Sequence, residues 1–247
     1  MDLPLLENDL HQTGILQPTE IYPANGVPRR AVLCFFAEVV DNAGGEVHAR
    51  FSSQDRRPVY TTTRAGEQVA YFFPGIGAPA ACIALEEAIA MGCRDFVAVG
   101  GAGALLPDLQ LGDVVIADQA LRDEGTSYHY LEPSRFVSAD ETVSTAIAAA
   151  LTAADLPYRR GTTWTTDAIF REPRSRLDRR VAEGCLTVEM EAAAFFAVAQ
   201  YRGVRIGQLL YAGDALTGDK WDSRDWMSAR DVRTALFQIA IDAATRL

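Results

Sequence analysis

The sequence predicts an α/β fold, a mixed, largely parallel sheet flanked by helices. Three observations carry this. Short apolar runs rich in Val, Ile, Tyr and Phe recur along the chain, bounded by Gly and Pro. From residue 78 onward they alternate with longer segments whose apolar residues recur at helical spacing. The first third is richer in strands. No internal repeat, low-complexity tract or linker divides the 247 residues, so the chain reads as one domain, 1–247, with an irregular arm at 1–30.

The arm carries Pro4, Pro18, Pro23 and Pro28 and an Asn25-Gly26 turn signal, which favours an irregular path over a surface. Ala31 to Phe36 reads as a buried strand. Val47 to Phe51, Pro58 to Thr63 and Gln68 to Phe73 read as further strands. Pro74-Gly75-Ile76-Gly77 turns the chain into a helix from Ala78 to Met91. Its apolar positions are 82, 85, 88, 89 and 91, and Gly92 stops it. Asp95 to Val99 is a strand that runs into a loop, Gly100-Gly101-Ala102-Gly103. Asp113 to Ala117 is a strand, and Arg122 to Tyr130 a loop or strand end. Ser138-Ala139-Asp140-Glu141 reads as a capping box opening a helix that runs to Ala154. Arg160 to Thr165 is a strand and Ser175 to Glu183 a short charged helix. Next, a strand-like run turns into a helix at Glu189 and Glu191, Gly203 ends that helix, and an apolar strand leads to Gly213-Asp214. The last helix runs from Ser228 with Val232, Leu236, Ile239 and Ala243 on one face.

Composition bounds the partners. The formal charge is -10. That argues against DNA, RNA or anionic membranes, whose phosphates attract Lys/Arg-rich faces, and leaves open a small anion in a local pocket. Cys34, Cys82, Cys93 and Cys185 form no C-x-x-C pair and read as reduced and structural, in a cytoplasmic protein. His11, His48 and His129 are far apart, so no His-rich metal site is expected. The first residues carry acids rather than a basic leader, and no apolar run approaches the ~20 residues of a membrane helix.

Four motifs stand out. Gly75-x-Gly77-x-x-Ala80 matches a dinucleotide fingerprint, but the acid about 20 residues on, Asp95, precedes its strand instead of ending it. A tight turn is the better reading. The run 100–103 offers free backbone N–H groups and close approach to a ligand. Val188-Glu189-Met190-Glu191-Ala192 sets two acids at i and i+2. They share a side if the chain is extended and diverge if the helix has begun. Asp214 follows an apolar strand, where open α/β proteins keep functional acids, although it equally suits a turn cap.

Taken together, GIGAPAACIALEEAIAMG, FVAVGGAGAL, GDVVIADQALRDEGTSYHYL, TTWTTDAIFRE, VEMEAAAFFAVA and LLYAGDAL, in this order over residues 74–216, resemble the nucleoside phosphorylase superfamily. That family includes uridine and purine nucleoside phosphorylases and the methylthioadenosine/adenosylhomocysteine nucleosidases. The resemblance implies a three-layer αβα fold, assembly as a dimer or hexamer, no cofactor, and cleavage of the bond between ribose C1′ and a base. By similarity, Glu191 bonds the ribose 2′- and 3′-hydroxyls and Met190 lines the sugar. Gly101, Ala102 and Gly103 border base and ribose, Ile169 and Phe170 pack on them, and Asp214 protonates a purine. Glu189 falls to a structural role. Bacterial uridine phosphorylases use a Gln/Arg pair for the pyrimidine, which Arg171 to Arg176 do not reproduce, so a purine-type base is expected.

The phosphate side departs from the family pattern. There is no G-D-x-x-R loop in residues 1–50, Ala98 stands where phosphorolytic members carry Arg, and Gly101 replaces their Thr or Ser. Arg56, Arg57 or Arg122 are the candidate replacements. Inorganic phosphate as co-substrate therefore competes with water, which the nucleosidases activate with an N-terminal Glu; Glu20 is the counterpart here. A nicotinamide-dependent oxidoreductase resting on Gly75 and Gly77, and a nucleoside-binding protein without catalysis, are the rival classes.

Overall fold

A computed structural model describes residues 3–7, 9–22, 24–53 and 56–247. The arm is irregular apart from a 3-10 turn at Pro4–Leu6 and a one-turn helix α1, Pro18–Ile21, each opened by its proline. Pro23 lies outside the described residues. The strands are β1 (Arg30–Cys34), β2 (Glu46–Arg50), β3 (Pro58–Arg64), β4 (Glu67–Phe72), β5 (Asp95–Ala104), β6 (Val114–Asp123), β7 (Phe136–Ser138), β8 (Tyr158–Thr166), β9 (Cys185–Glu189) and β10 (Arg205–Ala215). The helices after α1 are α2 (Ala37–Asn42), α3 (Ala78–Met91), α4 (Glu141–Ala153), α5 (Arg174–Ala182), α6 (Ala192–Arg202) and α7 (Arg230–Ala244).

One mixed sheet holds all ten strands. Its parallel centre is β4-β1-β5-β10. The β3 and β2 strands add antiparallel at one edge. At the other, β10 pairs antiparallel with β6, β6 runs parallel to β8 and β8 to β9, and β9 returns antiparallel to β5. The sheet thus curls shut through β5-β10-β6-β8-β9. Alternation along the strands sorts the core onto two faces. Leu33, Phe96, Ala98 and Leu210 pack with α3 and α6. Val32, Val97, Val99, Leu209 and Tyr211 pack with α2, α4 and α7. These are the three layers expected. A smaller cluster around Trp164, Leu121, Leu177 and Val188 seats α5. All four cysteines are buried thiols.

Two local expectations are corrected. The glycine run 100–103 is strand, not loop. Gly100, Gly101 and Ala102 pair with Leu210, Tyr211 and Ala212, and Gly103 with Val188. Small residues are needed there for space: a Cβ on Gly103 would lie 2.5 Å from Leu216 Cδ1 and 3.0 Å from Val188 Cγ1, and one on Gly101 3.0 Å from the Tyr211 ring. The second correction concerns α4. Its cap is Asp140, whose carboxylate accepts the Val143 N–H at 3.1 Å, while Ser138 ends β7. The box is displaced because pairing of Ser138 with Gln119 holds it extended. Asp95 lies at the amino end of β5, where Arg29 (2.8 Å) and Arg205 (2.7 Å) take its two oxygens. It is not available to a ribose, in line with the tight-turn reading of Gly75 and Gly77, both at positive φ. Among the described residues no helix is long and apolar enough to cross a membrane.

Candidate active site

The carboxyl ends of β4, β1, β5 and β10 form one rim, and the segment that leaves β9 meets it. Open α/β sheets gather their functional groups at such a rim. Here it brings together Gly77 after β4, Phe35 after β1, residues 101–103 of β5, Asp214 of β10, and Glu189 to Glu191.

The two glutamates diverge because the chain turns between them. Glu189 is the last residue of β9 and is fully enclosed. Its Oε2 accepts the Glu191 and Ala192 N–H groups, both at 2.7 Å, and its Oε1 accepts the Thr165 hydroxyl at 2.6 Å. Thr165 Oγ1 in turn accepts the Ala193 N–H at 3.0 Å. Three otherwise unpaired donors at the start of α6 are thereby satisfied. Glu191 stands in the helix N-cap position but makes no cap hydrogen bond there. It instead reaches across to the start of α3, where its Oε1 accepts the Gly77 N–H at 2.6 Å. Gly77 has φ 88°, the left-handed region that glycine tolerates, and this aims its N–H at the carboxylate. The dinucleotide-like turn thus serves as a holder for Glu191.

Further carboxyls crowd the same place. Asp167, just after β8, accepts the Gly125 N–H at 2.8 Å, and Glu124 accepts the Ser127 N–H at 2.9 Å. Glu124 Oε1 is buried with no hydrogen-bond partner among the described residues. Burial first, and then the Glu189 charge, raise the proton affinity of Glu191. Burial likewise raises Glu189 and Glu124, against the donors that favour their charged forms.

On the opposite side of the glycine segment stands Asp214, half-buried. A Cβ on Gly103 would lie 3.5 Å from its Oδ1, and its Oδ2 accepts the Trp221 indole N–H at 2.6 Å. Ala102 is buried, Gly101 is exposed, and Met190 is half-buried between the glutamates. Ile169 and Phe170 project from a 3-10 turn after β8, Phe170 at 92% exposure. Glu172 follows that turn. Burial, and then the Asp214 charge, push its carboxyl up to about 7, with Arg176 opposing.

Near the positions that the departures in sequence single out, aromatic rings pack on both faces of the sheet. Phe35 follows β1 and sits 3.1 Å from where a Gly100 Cβ would be, and Phe36 packs 5.8 Å from Tyr211. Of the candidate arginines, Arg122 is buried and bonded to Ser127, Ser134 and the carbonyls of Leu131 and Glu132. Arg57 lies over the Phe73 ring at 4.3 Å, and Arg56 is exposed. Arg233, which sequence reasoning missed, is buried beside the rings and bonded to Glu38, Tyr211 and the Trp226 carbonyl. Glu20 is exposed on α1. The sequence likewise does not mark Glu172, Trp221 or Glu124 as site residues. Glu172 and Trp221 sit in irregular segments with no periodicity, and only their tertiary neighbours mark them.

The chain is similar to known proteins over most of its length. A family model described as the phosphorylase superfamily matches residues 29–246. A guanosine phosphorylase of Halorubrum lacusprofundi is 29% identical over 248 residues, covering 98% of this chain and 96% of that one. A DeoD-type purine nucleoside phosphorylase of Myxococcus xanthus is 29% identical over 225 residues, covering 85% of this chain and 92% of the relative. A solved uridine phosphorylase from Vibrio fischeri, complexed with 6-hydroxy-1-naphthoic acid, superposes with a TM-score of 0.76 at 22% identity, over 92% of this chain and 97% of that chain; this likeness bears on the fold.

Proposed function

The chain belongs to the phosphorylase superfamily, and from that premise we propose that it cleaves the N-glycosidic bond between ribose C1′ and a purine-type base. One observation carries the reading: Glu191 and Asp214 flank the same small-residue strand segment, 101–103, from opposite sides. Breaking the bond builds positive charge on the ribose ring and negative charge on the base. Glu191 accepts hydrogen bonds from the 2′- and 3′-hydroxyls, and these donors together with the developing cationic sugar favour its ionised form against the burial that raises its proton affinity. Asp214, as a carboxylic acid, gives a proton to the departing base. Met190 covers the sugar, and Ile169 and Phe170 supply apolar surface to base and sugar. The chemistry calls on no cofactor.

The ribosyl acceptor is phosphate in the names of the relatives. Water is the second reading. It is favoured by the Phe35 ring against Gly100 and by the absence of cationic side chains at Ala98 and Gly101. A panel of purine and pyrimidine nucleosides assayed with and without phosphate decides. Phosphate-dependent base release with ribose 1-phosphate formation supports phosphorolysis, and equal release without phosphate supports hydrolysis. No release under either condition overturns cleavage. We further place the chain as one domain over 1–247, in a cytoplasmic homo-oligomer, dimer or hexamer. The exposed Leu3, Leu6, Ile15 and Leu16 of the arm support self-association, and light scattering measures it.

A further inference from the structure

The chain beyond β10 turns back onto the site. Ala215 and Asp222 form a bridge, with N–H···O distances of 2.8 and 3.0 Å, so residues 216–221 close a loop at the strand end. Three contacts hold the returning chain. Arg174 donates to the Gly218 carbonyl, Arg224 donates to the Leu109 carbonyl at 2.7 Å, and Trp226 Cβ lies 3.5 Å from where a Cβ on Gly213 would be. The loop ends on Trp221, whose indole N–H donates to Asp214 Oδ2 at 2.6 Å. The ring is 64% exposed, so its edge is open to a ligand. Oδ1 lies beside Gly103, on the floor between Asp214 and Glu191. The two oxygens of Asp214 are therefore not equivalent: one already carries a donor, and the other borders the small-residue segment.

We propose that Trp221 is a specificity-determining residue, and that it makes the site select 6-oxopurine nucleosides over 6-aminopurine nucleosides. The proposal rests on the reading of Asp214 as the group that meets the base. A purine carries N7 and its 6-substituent side by side on one edge. A carboxyl with both oxygens open suits a 6-amino base, because one oxygen serves N7 and the other accepts from the amino group. Here Oδ2 is occupied, and an indole N–H donates but never accepts. A 6-amino group arriving there brings a second donor to a place that already has one. One of the two N–H groups is then left without an acceptor, and an unpaired donor in a closed site costs more than a made hydrogen bond gains. A 6-oxo group meets the opposite situation. Its oxygen accepts from the indole N–H, shared between Oδ2 and the base, while Oδ1 serves N7. A site whose donors match one substituent and oppose the other discriminates both by attraction and by mismatch.

The test measures kcat/KM of wild type, Trp221→Phe and Asp214→Asn on three nucleosides, with phosphate present: inosine (6-oxo), adenosine (6-amino) and purine riboside, which has no 6-substituent. Wild type is expected to favour inosine over adenosine by about tenfold or more. Trp221→Phe keeps an aromatic ring and removes only the donor. It should lower the inosine-to-adenosine ratio by about tenfold, with purine riboside falling by less than inosine does. A wild type that favours adenosine, a ratio that Trp221→Phe leaves unmoved, or an equal loss on all three substrates overturns the proposal, the last by reducing Trp221 to a structural role. A wild-type rate unmoved in Asp214→Asn overturns the reading of Asp214 on which the proposal rests. Where wild type releases base from none of the three, the cleavage reading fails by itself. Calorimetric binding of hypoxanthine and adenine to wild type and Trp221→Phe then tests the selection: tighter binding of hypoxanthine that the variant loses supports it, and equal binding of the two bases overturns it.

Discussion

Glu191 is held by a backbone N–H from a different element, Gly77 at the start of α3, so its carboxylate is aimed before any substrate arrives. Pre-orientation of this kind makes a hydrogen bond count in binding and in the transition state alike. Replacing Glu191 by Gln keeps an oxygen for Gly77 but removes the charge that meets the ribose hydroxyls. We expect kcat/KM for a ribonucleoside to fall about 10- to 100-fold, from the roughly 1.5–3 kcal/mol of a charged hydrogen bond. The loss should be smaller for the 2′-deoxynucleoside, which already lacks one of the contacts. Equal losses on both would detach Glu191 from the sugar. The importance of Glu189 and Glu191 is legible in the sequence, because acids inside so apolar a run need partners. Which of them reaches across to Gly77 is not, because it depends on the turn at Met190 and on Thr165, 24 residues before Glu189. Trp221 and Glu172 carry no sequence signal at all. Trp221 gains its meaning from the turn back at Ala215 and Asp222, which sets its indole on Asp214.

At the scale of elements, β5 shows how one segment serves both core and site. Its first half is buried between two helical layers, and its last residues form the floor between Glu191 and Asp214. Glycine there is a packing requirement: Leu216, Val188 and Asp214 all close on position 103. Gly103→Ala forces these neighbours apart. It should destabilise the protein by about 1–3 kcal/mol in urea unfolding, the usual range for overpacking, and should reduce kcat by displacing Asp214. An unchanged midpoint and unchanged kcat would contradict this account of the strand. The elements themselves were mostly readable. Helix α3, from Ala78 to Met91, follows from its apolar spacing and its two bounding glycines. Glycine density signals a loop by local propensity, which is why the run 100–103 reads as one in the sequence. Pairing with β10 and β9 supplies partners that no local pattern reveals.

Over the whole molecule, the buried carboxyls give a pH signature. Glu172, Glu189 and Glu191 all bind a proton more tightly when folded than the ordinary carboxylate value of about 4.3. Their contribution to stability is full below that value and is lost as pH rises, through about 7 in the case of Glu172. Glu141 is the opposite case: its hydrogen bond to Arg160 lowers its pKa, and its contribution is lost as pH falls below the ordinary value. Apparent melting temperature in the absence of substrate should therefore peak near about pH 5 and decline toward about pH 7. A melting temperature that climbs steadily from acid to neutral pH would rule this out. The sequence by itself determined the α/β class and most of the longer helices and strands, and it singled out the acids at 189, 191 and 214 as candidates, because apolar period and residue chemistry are local properties. The tertiary structure alone decided that the sheet curls shut through β9, that Gly77 holds Glu191, that the Phe35 ring fills the space beside Gly100, and that Trp221 bonds Asp214. Each of these joins residues distant in the chain, and only packing brings such residues within reach.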